Sequence, residues 1–212
     1  MHYTAVEDLF LREETIENSA TCNVKGTKTA TEIAAIAAAD VTSGDVYRVS
    51  TGGTVGSITV VNGDFVKITK SGTTLTYAKA AAADIKGYAQ SEVRDWKRWG
   101  RDHSKDLGIA AWAVNGADLG AGAATVELES SADGAAWTTI ATASGSVAGI
   151  DKNGRLVFFL LPRTGIKQYV RIVVKVTTQF TDGTNALAPV LSVGLENDGD
   201  VDIDTTMVQS KI

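Results

Sequence analysis

The sequence predicts a mostly β protein: a C-terminal β-sandwich of jelly-roll type behind a small N-terminal α+β/β-meander module. Three observations predict it. Apolar and polar residues alternate over 124–130 and 168–176, the period-two pattern of a strand with one buried face. Turn dipeptides (Asn62-Gly63, Ser71-Gly72, Asp133-Gly134, Asn153-Gly154) punctuate the strand-like runs. Ala, Thr, Val and Gly dominate a chain with only 2 prolines; Thr and Val suit strands, and Gly suits turns.

Taken in order, residues 5–14 place Val6, Leu9 and Phe10, with Ile16 beyond, near helical spacing behind early acids, which reads as a short helix or an ordered arm. Residues 31–40 are alanine-rich, with Ile33 and Ile36 on one small face and Thr29 or Thr31 as cap, which reads as a short helix laid on a sheet. From 44 to 77 the chain reads as a meander of strands over 45–49, 55–61, 64–69 and 74–78. Residues 80–84 read as a linker or short helix. Beyond 107, strands are predicted over 109–114, 124–130, 137–141, 155–161, 168–176 and 189–195. The run 155–161 is apolar on both faces and reads as a central strand ended by Pro162. The division that follows is an arm over 1–26, able to add a strand to the sandwich, a module over 27–85, and the sandwich with an acidic C-terminal arm over 86–212.

Length and charge bound the function. The 212 residues suit one large or two small domains. A net charge of −5 gives no general basic footprint for nucleic acid. The single cysteine, Cys22, excludes an internal disulfide framework and reads as a small buried hydrophobe. The first residues carry acids and no apolar signal core, and no run approaches the roughly 20 apolar residues of a membrane span. Synthesis in a cytoplasm is the expectation.

The search for chemistry is thin. His2 sits at the terminus, and Asp102, His103 and Ser104 are neighbours in sequence, whereas triad members converge from separate segments. No HExxH, CxxC or Walker loop occurs, and the glycine-rich 116–122 lacks the lysine and reads as a hairpin or bulge. Asp200, Asp202 and Asp204 alternate like the first ligands of an EF-hand, but Thr205 stands where that loop needs glycine. The expectation is a protein that is not an enzyme, with no cofactor and no metal. The sharpest local feature is Trp96 and Trp99, spaced by three with Val93 and set among Arg94, Lys97, Arg98, Arg101 and Lys105. Tryptophans among cations suit a protein interface, a single-stranded nucleic acid, or a helix or loop that buries its rings and keeps its cations wet. Trp96, Trp99, Arg98 and Arg101 are the candidate contact residues.

The stretches 105–108, 124–134, 137–143, 156–162, 168–172, 178–183 and 190–193, in that order and spacing, resemble the jelly-roll cement, or decoration, proteins of tailed-phage capsids. The resemblance covers about half of the chain. It implies a homo-oligomer, trimer or dimer, bound to the major capsid protein on the outer surface of a virion, with no catalytic residues to carry over. The module, at 44–55 and 61–66, resembles small β modules of phage fibres. It departs from the plain cement pattern and is accounted for as an insertion after a first sandwich strand near 20–24. A rival resemblance, on 131–137 and 168–172, is to galactose-binding-like sandwiches, which implies sugar binding or receptor adhesion. Against it, Trp137 reads as a core residue.

Overall fold

The alternation along the longest strands decides where the main core lies. In the computed structural model, which describes residues 9–17, 19, 21–96, 107–150, 154–162 and 164–197, Val126 and Leu128 of β11 (Ala121–Ser131) and Val170, Ile172, Val174 and Val176 of β14 (Tyr169–Thr181) turn to one side and are buried. These strands pair antiparallel, Leu128 opposite Ile172, in a sheet of order β12-β11-β14-β8. Here β12 is Thr138–Ser146, β8 is Tyr88–Gln90, and β9 (Arg94–Asp95) extends the β8 edge along β14. A second sheet has the order β1-β15-β10-β13, from β1 (Leu9–Thr15), β10 (Leu107–Ala113), β13 (Arg155–Leu160) and β15 (Val190–Asn197). Ile109, Leu156, Val157, Leu191, Val193 and Leu195 of that sheet share one apolar core with the first. At one edge the two sheets close on each other: a Cβ at Gly145 of β12 would run into the carbonyl of Leu156 of β13.

The protein is therefore mostly β, as predicted. The first strand corrects the sequence reading. Residues 9–15 are strand and not helix, paired with β15; near 20–24 the strand begins only at Val24 and belongs to the small sheet, while Cys22 N–H donates to the Val176 carbonyl of β14. Two register irregularities, between Leu9 and Leu11 and between Leu11 and Glu14, let Phe10 and Leu11 both be buried, so the strand loses its alternation and mimics helical spacing. Glu13, inside the irregular part, has φ 48°. The run 155–160 is likewise an edge strand and not a central one. Its apolar side chains are partly covered by β12 across the closed edge, and Leu160 is exposed.

Between β1 and β8 the chain builds a smaller unit with its own core. β2 (Val24–Lys28), β3 (Val46–Val49), β6 (Phe65–Ser71) and β7 (Thr74–Lys79) form one sheet, with β2 parallel to β3. β4 (Gly53–Val55) and β5 (Ile58–Val60) form a separate hairpin. The single strand predicted over 55–61 is split because Gly56, at φ 58°, turns the chain against the Tyr77 ring. Asn62-Gly63 turns the chain as predicted, but β5 and β6 do not pair. α1 (Ala30–Ala34) is one short helix. The Thr29 hydroxyl accepts the Glu32 N–H at 3.1 Å, and the Glu32 carboxylate accepts the Thr29 N–H at 2.7 Å. The Thr29 amide, and then its hydroxyl, hold the Glu32 carboxyl below its ordinary pKa. Ile33, Tyr47, Val49, Val55, Val60, Val66 and Ile68 fill the small core.

The two crossings into this unit are tied together. Asn23 N–H donates to the Lys86 carbonyl at 3.1 Å, Lys86 N–H donates to Asn23 Oδ1 at 2.9 Å, and Asn23 Nδ2 donates to the Asp84 and Gly44 carbonyls. Gly87, at φ 63°, sits where a Cβ would press on Cys22 and Val176.

Candidate functional site

Of the four candidate contact residues, Trp96 is described and is a core residue. It is 6 % exposed, packed with Phe10, Ile109 and Val170 in the main core. It is therefore no surface anchor in this fold, because the apolar interior already takes its ring. The shared helical face with Val93 also fails. Arg94 and Asp95 are strand, so Val93 and Trp96 meet opposite environments, exposed and buried. Arg94 of the same cationic run serves its own chain: Nη2 donates to the Leu9 carbonyl at 2.5 Å, and the guanidinium lies over the Phe10 ring. Arg98, Trp99 and Arg101 lie outside the described residues, as do His2, His103 and the acidic 198–204.

What the fold does assemble is a polar joint that the sequence reading missed. On β14, Arg171, Val173 and Lys175 point away from the main core, as do Glu127 and Glu129 on β11. This outer face is covered. Arg171 is 0 % exposed, and Val173 is buried, although it belongs to neither apolar core. The cover is the small sheet. Phe65 of β6 meets Tyr88 of β8 edge to face, ring centroids 5.7 Å apart. Arg48 of β3, 7 % exposed, turns away from the small core toward Arg171, Glu129 and Tyr88.

The charges in this joint are unequal. Arg171 Nε donates to Glu129 Oε2 at 2.5 Å, Nη2 lies 2.5 Å from the same oxygen, and the guanidinium stacks 4.1 Å from the Trp137 ring. Lys175 pairs with Glu127 at 2.8 Å. Arg171 Nη1 and Arg48 Nε and Nη1 are buried without a hydrogen-bond partner among the described residues. Burial first, and then the nearby Arg171 charge, push the Arg48 pKa down. Burial pushes the Tyr88 hydroxyl well up, and that hydroxyl donates to Gln90 Oε1 at 2.9 Å. Cys22, half-buried, is also raised by burial. The legible signal was Val173: an aliphatic residue on the same face as Arg171 and Lys175 says that this face is covered.

Trp137 itself corrects the core assignment. It is half-buried on the outer face, stacked on Arg171, with Nε1 donating to the Gly134 carbonyl at 3.0 Å. It closes a turn organised by Asp133, whose Oδ1 accepts the amides of Ala135 and Ala136 and the Ser131 hydroxyl. These bonds, the amides first, hold the Asp133 carboxyl down at about 2.

Among the described residues no group of three or more His, Cys, Asp or Glu could hold a metal ion, and no helix is long and apolar enough to cross a membrane. Compared with known protein families, with curated proteins and with solved structures, the chain finds no match.

Proposed function

We propose that the chain is a structural virion protein, a decoration or cement protein that binds the outside of a phage capsid shell as an oligomer and stabilises it. One observation carries this reading, the connectivity of the two-sheet body. Lettered A to H in chain order, with β1 as A, β8 and β9 together as B, and β10 to β15 as C to H, the strands run A-H-C-F in one sheet and E-D-G-B in the other. That order matches the interlocked Greek keys of a jelly roll, an architecture used in viral capsid domains. It supports the fold that the resemblance to cement proteins implies. The reading has no catalytic step. Affinity comes from buried area, about 800 Å² per partner for stable docking, multiplied by a symmetric trimer or dimer. The partner is the major capsid protein. Arg98, Trp99 and Arg101 remain the proposed contacts, and Trp96 is withdrawn from that set.

The test is co-sedimentation of the purified protein with undecorated phage shells, beside its own mass by light scattering. Saturable binding at a fixed copy number per shell, weakened by Trp99→Ala, is expected. A monomer that leaves shells bare overturns the reading. The half-exposed Trp137 beside the polar Ser131–Asp133 turn favours a second reading, a carbohydrate-binding or receptor-adhesion module on a virion surface. A glycan array tests it: one glycan class bound by the protein and lost in Trp137→Ala supports it, and a blank array removes it.

A further inference from the structure

The turn between β5 and β6 carries both partners of an intramolecular reaction. Asn62 is exposed, and Gly63 follows it with φ 93°. A glycine has no Cβ to screen its backbone nitrogen, so that nitrogen can reach the amide carbon of the asparagine before it. In the closed fold it is held elsewhere. Gly63 N–H donates to the Val49 carbonyl at 2.9 Å, and Val49 N–H donates to the Asp64 carbonyl at 2.8 Å. These bonds stitch the turn to the end of the β3–β6 ladder, next to the Arg48–Phe65 pair. Val49 is itself 0 % exposed in the small core. Asp64 N–H to the Val61 carbonyl, and Val61 N–H to Asp64 Oδ2, close the turn.

We propose that Asn62 is a modification site: a side-chain amide that the closed small unit keeps inert, and that converts to aspartate and isoaspartate when the unit opens. The reaction needs only water. The Gly63 nitrogen gives its proton to solvent base and bonds to Asn62 Cγ. The Cγ–Nδ2 bond breaks, and Nδ2 leaves as ammonia with a proton from solvent. Water then opens the five-membered imide at either carbonyl. One opening leaves aspartate at 62, and the other routes the backbone through Cβ and Cγ. Nothing is oxidised or reduced. While Gly63 N–H is bonded to Val49, its nitrogen keeps its proton and is turned from the side chain. The step is therefore gated as amide hydrogen exchange is gated, by opening. The isoaspartyl product lengthens the turn by one carbon, which puts the bonds to Val49 and Val61 out of register. Conversion thus records each opening and hinders reclosure.

The test incubates the full chain at mildly alkaline pH, native and in urea, and follows the peptide containing Asn62 by mass spectrometry. The readouts are the amide-to-acid mass gain and the separate isoaspartyl peptide. The native chain is expected to convert at least about tenfold more slowly than the unfolded one. Thr29→Ala, which uncaps α1 in the same small core, is expected to speed native conversion about fivefold and to leave the rate in urea unchanged. Equal rates in the native and unfolded chain overturn the gate. So does a native rate that Thr29→Ala leaves unchanged, since opening of the small unit is then not what frees Gly63. No conversion in urea removes the site.

Discussion

The two faces of strand β14 are both buried, and they are buried by different chemistry. The inner face, Val170, Ile172, Val174 and Val176, meets only apolar partners in the main core. The outer face, Arg171, Val173 and Lys175, is covered by the small sheet and its Arg48. Inner burial is held by volume, since each lost methylene leaves a cavity. Outer burial is held by charge balance, since each lost partner leaves an ion in a dry place. The same backbone therefore predicts two kinds of sensitivity, one to size and one to charge at constant size.

The largest expected effect is on the inner side. Trp96→Ala empties a core site and is expected to destabilise by about 4 kcal/mol in denaturant unfolding. A loss under about 1 kcal/mol would return Trp96 to the surface role that the fold denies it. Next, Glu129→Gln keeps size and removes charge. It leaves two buried guanidiniums facing no carboxylate, and a loss of about 3 kcal/mol is expected in the same assay. An apolar triple tells the two kinds of burial apart. Arg48→Met and Arg171→Met together with Glu129→Leu are expected to unfold within about 1 kcal/mol of the parent, because they remove all three charges together. Thr29→Ala removes a cap and should cost about 1 kcal/mol, read in the small unit alone.

The smallest effect is the acid response of Asp133. Its carboxyl is depressed to about 2 by the turn amides, against an ordinary value of about 3.9 in the unfolded chain. The stability it contributes is therefore fully present above about pH 4 and is lost as pH falls toward 2. Asp133→Asn is expected to flatten that window of an acid titration and to lower stability at pH 7, where the carboxylate's contribution is fully present. A window unchanged in the variant would move the effect to other carboxyls.

How much of this was legible follows from what each residue faces. The alternation at 124–130 and 168–176 was readable because one face of those strands meets a single apolar core. The capping pair Thr29 and Glu32 was half-readable, since the hydroxyl at 29 and the carboxylate at 32 stand at cap spacing. β1 was not readable, because its irregular register buries adjacent Phe10 and Leu11 and erases the period of two. The edge position of β13 was hidden for a related reason: its second apolar face is covered across the closed edge, which no pattern within the strand encodes. Val93 and Trp96 looked like one face only by helical spacing, and the strand at Arg94–Asp95 removes that geometry. The joint was missed because Arg48 and Arg171 come from segments 123 positions apart in sequence, and only the fold brings them together.

The central claim is that the chain carries two apolar cores separated by a polar joint. Native-state hydrogen exchange across a denaturant series tests it most directly. Amides of β3 and β6 are expected to merge on one isotherm at a lower opening free energy than those of β11 and β14, because the small unit can open at the joint while the two-sheet body stays closed. A single isotherm for all four strands, merging only at the global unfolding free energy, would contradict it.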